Sequence, residues 1–160
     1  MMNLERQKGQ FMKTAIIYYS QHQGNTKKLV EGIAAAVSAP EEITAIDIVQ
    51  NPEADLSEYD RIGIASGIYF GGFAKQVIAY AEEHLPEGKE VFFLYTHGSG
   101  GGDFLKGIRG VTEKKQCKEL GSYHCQGFDT FGPFKLVGGI AKGHPTEEEI
   151  AGAAAFYKGL

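Results

Sequence analysis

Thr14-Ala15-Ile16-Ile17-Tyr18-Tyr19-Ser20-Gln21-His22-Gln23-Gly24-Asn25-Thr26 decides how this chain folds: an apolar run passes through a polar turn straight into a helical pattern. Beyond it Leu29, Val30, Ile33, Ala34 and Val37 recur on one helix face, so the stretch reads as a strand over 13–19, a loop over 20–26 and a helix from about Thr26 to Val37. A loop feeding a helix start leaves backbone N–H groups without intrahelical partners, at the positive end of the helix dipole. That is a seat for an anion, and for phosphate above all.

Ordinary strand-to-helix connections also carry Gly and Asn, because Gly adopts unusual dihedrals and Asn caps helices. Two features set this loop apart. It follows the first strand of the chain, and its small and hydrogen-bonding residues run without interruption from Ser20 to Thr26. It lacks the second glycine followed by Lys and Ser/Thr that a nucleoside triphosphate loop needs, and Lys27 and Lys28 follow Thr26 instead. Nor does it match the dinucleotide pattern G-x-G-x-x-G. ATP and NAD are disfavoured, and a terminal phosphomonoester held by N–H and hydroxyl donors is left.

Downstream, strands and helices alternate, which predicts an α/β fold with a parallel sheet covered on both faces. Strands are expected at Ile43–Ile48, Arg61–Ser66, Val91–Tyr95 and within Tyr123–Phe131. Gln50 to Asp60 reads as a connector. Helices are expected around Val77, Ile78, Ala81 and Leu85, ending before Pro86, then from about Val111 to Leu120, and after Thr146, which has capping-box spacing to Glu149. The run Val91-Phe92-Phe93-Leu94-Tyr95 is apolar throughout, as a strand buried on both faces should be.

The 160 residues suit one domain, expected over 12–160, with 1–11 as a flexible extension. The net charge of −4 argues against a nucleic-acid partner. No apolar run approaches the ~20 residues of a membrane helix. Met1 to Phe11 lacks the apolar segment of a signal peptide, so the expected location is cytoplasmic and no membrane partner is expected. Cys117 and Cys125 have neither disulfide-scaffold nor metal spacing and read as reduced thiols. His84, His124 and His144 are scattered without metal spacing, and Ser99 lacks the setting of a hydrolase nucleophile, so neither a metal nor a catalytic residue is assigned. The Gly-rich connector from Phe131 to Pro145 is long enough to cover a sheet edge or face a partner.

From Lys13 onward the chain resembles the flavodoxin-like family, whose first loop is a Ser/Thr-rich run ending in Gly-Asn-Thr, matched here by Gly24-Asn25-Thr26. Gln21 and Gln23 stand around His22 where many members have hydroxyls. The resemblance implies a doubly wound five-stranded parallel sheet of order 2-1-3-4-5, with a ligand beyond the strand ends. It implies FMN as the cofactor. Ser20, Gln21, His22, Gln23, Gly24, Asn25 and Thr26 would meet its phosphate. A second loop with Ser66, Gly67, Ile68, Tyr69, Phe70 and Gly71, and a third with Thr96, His97, Gly98, Ser99 and Gly100, would meet its ring. Tyr69 is the first expected ring neighbour and His97 the next. Gly71-Gly72 is the expected peptide whose hydrogen bond changes with the ring's redox state.

Three functions follow from that reading. One is an electron carrier that binds FMN and serves redox partner proteins, the protein tuning a cofactor that does the chemistry. Another is an FMN-dependent NAD(P)H reductase of quinones or other small acceptors. The third is a binding module that keeps the fold without the flavin.

Overall fold

In a computed structural model, residues 12–20, 24–37, 41–97, 102–126 and 145–160 are described. β1 (Lys13–Tyr19) suits an interior position because both of its faces have an apolar layer to enter: Ala15, Ile17 and Tyr19 face one side, Ile16 and Tyr18 the other. It runs through the first loop into α1 (Asn25–Ala36), which lays Leu29, Val30 and Ile33 on the Ile16 side. β2 (Glu42–Asp47) returns beside β1, with Ile17 opposite Ile46.

β3 (Arg61–Tyr69) pairs with the other edge of β1 and runs past the expected end at Ser66. Its last residues fold back on β4 (Gly72–Phe73), antiparallel, with Ile68 opposite Phe73 and Tyr69 opposite Gly72. α2 (Lys75–His84) follows, then β5 (Glu90–His97), α3 (Lys106–Lys114), β6 (Lys118–Gln126) and α4 (Glu147–Lys158). The sheet order is β2-β1-β3-β5-β6, with parallel pairing along that path and β4 attached to β3 alone. With β4 set aside, this is the expected order 2-1-3-4-5.

Two boundaries depart from the sequence reading. The helix expected at 111–120 lies at 106–114, and the last strand starts at Lys118 rather than near Tyr123. The reason is local: Gln116 adopts a left-handed conformation (φ 57°), which ends α3 and turns the chain into β6. Only Ile108, Val111 and Thr112 of α3 are buried, so its apolar signal is short and easily misplaced.

α1 and α4 cover one face of the sheet, and α2 and α3 the other. Gly63 lets the sheet pack closely, because a Cβ there would stand 2.5 Å from the fully buried Phe92 ring. At the amino edge of the strands the Thr14 and Tyr157 hydroxyls lie 2.7 Å apart and buried, joining β1 to α4. Arg61, 7% exposed, lies over the Tyr157 ring at 5.8 Å. The expected capping box starts α4: Thr146 Oγ1 accepts from the Glu149 amide at 3.1 Å, and Glu149 Oε1 accepts from the Thr146 amide at 2.8 Å.

Candidate functional site

β1, β3 and β5 are consecutive neighbours, so their carboxyl ends lie within roughly 10 Å of one another at a strand spacing of ~4.8 Å. The first loop ends at Gly24, whose left-handed backbone (φ 68°, ψ 30°) makes the turn into α1. Gly24 itself offers no side-chain cap, and no acidic residue stands in the first turn of the helix. Ser20 reaches across the loop instead, its Oγ accepting from the Lys27 amide at 3.2 Å. Asn25 and Thr26 are buried at the helix start. Gln21, His22 and Gln23, assigned to the same seat, lie outside the described residues.

Thr26 connects the first loop to the third. Its hydroxyl lies 3.2 Å from that of Thr96, both buried, which fixes the first turn of α1 against the end of β5. His97 follows on the other face of the strand, and Gly98, Ser99 and Gly100 lie outside the described residues.

The second segment is a tight hairpin rather than an open glycine loop. Phe70 (φ 52°) and Gly71 (φ 81°) both have positive φ, the requirement of a two-residue type I′ turn. Gly71 meets that demand freely and Phe70 does not, yet Phe70 stands 89% exposed at the tip. Ser66 is fully buried, its Oγ accepting from the Ala74 amide at 3.0 Å and donating to the Gly67 carbonyl. Its hydroxyl therefore holds the hairpin. Ile68 is half-buried against the core on the α2 side. Tyr69 is half-buried, edge-on to Tyr19 at 6.3 Å, its ring 3.4 Å from where a Cβ on Gly67 would stand.

His97 has a partner that the sequence did not suggest. Its Nε2 lies 3.1 Å from Nδ1 of His124 on β6, and Tyr95 stacks on His124 at 4.9 Å with planes 11° apart. Phe104 closes the group, 5.9 Å from Tyr95 and 6.1 Å from His97. Burial holds the His97 imidazole below its ordinary pKa, with His124 adding to the shift and Glu149 opposing it. Burial likewise raises the Tyr95 phenol. His97 Nδ1 is buried and has no hydrogen-bond partner among the described residues. Whichever tautomer His97 adopts, a polar atom is left for a ligand to meet. His124 was legible only as one of several scattered histidines. The register that sets it opposite Tyr95 is a property of the sheet.

Elsewhere, Glu53, Glu83 and His84 bring ligand-capable atoms within 4.8 Å of one another, at the end of α2 away from the loop cluster. No helix among the described residues is long and apolar enough to cross a membrane.

Residues 16–98, just over half of the chain, match the model of the flavodoxin domain. An uncharacterized protein of Methanocaldococcus jannaschii is 36% identical over 154 residues, spanning 93% of this chain and 98% of the relative. Among solved structures, two-electron reduced flavodoxin of Megasphaera elsdenii superposes with a TM-score of 0.59 at 19% identity, over 89% of this chain and 98% of its own. The apo form of an NADH:FMN oxidoreductase superposes with a TM-score of 0.63 at 19% identity, over 93% of this chain and 90% of its own. At those identities the superpositions speak for the fold, and the sequence matches carry the relationship: this chain belongs to the flavodoxin-domain family.

Proposed function

We propose that the chain binds FMN at the carboxyl edge of its sheet and carries electrons between redox partner proteins. The observation that carries this reading is the start of α1, entered through a left-handed Gly24 and free of acidic residues in its first turn, tied by Thr26 and Thr96 to the loop expected to meet the ring. FMN supplies one- and two-electron chemistry when bound. The protein supplies the seat. Backbone N–H groups at Gly24, Asn25 and Thr26 face the phosphate, Tyr69 and Phe70 offer aromatic surface to the ring, and His97 Nδ1 offers a buried polar contact. The two free thiols, one buried and one half-buried, suit a reducing cytoplasm.

Purified protein mixed with FMN tests this directly. Quenching of flavin fluorescence with a saturable endpoint is expected, with FMN bound more tightly than riboflavin because only FMN fills the helix start. Thr26→Leu should remove most of that preference while changing riboflavin affinity little. A folded protein that leaves FMN fluorescence unchanged would support the flavin-free module instead. Bleaching of bound FMN by NADH or NADPH alone would support the reductase.

A further inference from the structure

At the end of α2 three ligand-capable groups from two separate segments meet. Glu83 and His84 are the last residues of the helix, Glu53 stands in the connector between β2 and β3, and their ligand atoms all lie within 4.8 Å of one another. Only the fold brings them together. Tyr80, 7% exposed, is the clasp: its hydroxyl donates to the Asn51 carbonyl at 2.9 Å and accepts from the Ala54 amide at 3.2 Å, which fastens the turn bearing Glu53 onto α2. The same ring packs against the His84 imidazole with centroids 4.4 Å apart, and the His84 side chain is 13% exposed. One tyrosine therefore holds the imidazole and the far carboxylate's backbone in place.

The group is poor as an ion pair and good as a chelate. His84 Nε2 lies 3.8 Å from Glu83 Oε2, beyond hydrogen-bond distance. Two ligands on one tetrahedral cation, with bonds of ~2.1 Å, stand about 3.4 Å apart. Glu53 and Glu83 are exposed, so a small rotation of either side chain closes the set. Two carboxylates held this close repel each other unless a cation lies between them. The lysines of the neighbouring segments do not supply it. Lys115 donates to the Leu85 carbonyl at 2.7 Å, Lys89 to the Ser57 carbonyl at 2.8 Å, and Lys13 pairs with Glu58 at 3.5 Å. Among the described residues neither Glu53 nor Glu83 pairs with a lysine or arginine.

We propose that Glu53, Glu83 and His84 bind a divalent transition-metal ion of the zinc class, with water completing its coordination. One imidazole nitrogen with two carboxylate oxygens suits Zn²⁺, whereas Ca²⁺ takes ~6–8 oxygens and Mg²⁺ keeps its own waters. The ion ties the connector to α2 from the solvent side, as Tyr80 ties it from within. The site lies away from the loop cluster and stands whether or not the chain takes up FMN.

The test uses the full chain, stripped of metal with a chelator and dialysed, with zinc chloride as titrant. Calorimetry should show a saturable zinc equivalent, and the His84 imidazole signals should move along the same titration. E53Q/E83Q, which alters two exposed side chains, should weaken that equivalent by at least ~10-fold, the lower end of what losing a mere supporting contact costs a metal site. H84Q should do the same, H124Q should leave it intact, and FMN affinity should be unchanged in E53Q/E83Q and H84Q. No zinc binding, zinc binding indifferent to E53Q/E83Q, loss of the equivalent in H124Q, a titration that leaves the His84 signals still, or Mg²⁺ or Ca²⁺ bound as tightly as Zn²⁺ would each overturn the proposal.

Discussion

His97 and His124 share a hydrogen bond across neighbouring strands, Nε2 to Nδ1 at 3.1 Å, with Tyr95 stacked beneath His124. Burial and the second imidazole make a charged His97 unfavourable in the folded chain, so its pKa falls below the ordinary 6.5. The unfolded chain then binds the proton more readily, and His97 contributes stability that is present above pH 6.5 and lost as pH falls through the folded value. Imidazole NMR should place the His97 midpoint below 6.5, and the acid-side loss of unfolding free energy should shrink in His97→Gln. A midpoint at or above 6.5 contradicts this account.

Thr26 and Thr96 are buried and bonded to each other, so removing one hydroxyl strands the other. Thr26→Val and Thr96→Val should each cost ~1–3 kcal/mol in urea unfolding. The double variant should cost less than the two singles together, because it leaves no orphan. Strict additivity would show that the hydroxyls do not depend on each other.

Phe70 occupies a left-handed conformation that suits Asn or Gly far better. Phe70→Asn, which creates an Asn-Gly turn, should raise stability by about 1 kcal/mol. Flavin or partner affinity should fall in the same variant. A chain that gains stability and keeps all binding would mean that the exposed ring serves neither.

Cys125 is buried at the end of β6, and that burial pushes its thiol pKa up to about 12. The folded protein should therefore resist thiol reagents at pH 8 at this position, with labelling rising only in denaturant. Fast labelling of Cys125 in native buffer would show that the end of β6 opens.

The fold was legible because its signals are long. The β1 run, the strand at Val91–Tyr95 and the α4 capping box each carry a local pattern that tertiary packing leaves intact. The turn into α1 was legible for the same reason, since Gly24-Asn25-Thr26 acts through backbone geometry. The second segment misled because Gly71-Gly72 reads as an open loop, whereas the left-handed Phe70 beside it makes a hairpin and extends β3 to Tyr69. Ser66, expected beside the ligand, points its hydroxyl at that hairpin's backbone. The contact between His97 and His124 could not be read in advance, because it depends on strand register between segments 27 positions apart.

The Thr14–Tyr157 clasp spans 143 positions of sequence. During synthesis β1 leaves the ribosome first and waits roughly 7–30 s for its last helical neighbour, at ~5–20 residues per second. Through that interval the side of the sheet that α4 will cover is open to water and to other nascent chains. Slow translation, or a shortage of chaperone, should therefore harm this protein most while its final helix is still in the exit tunnel.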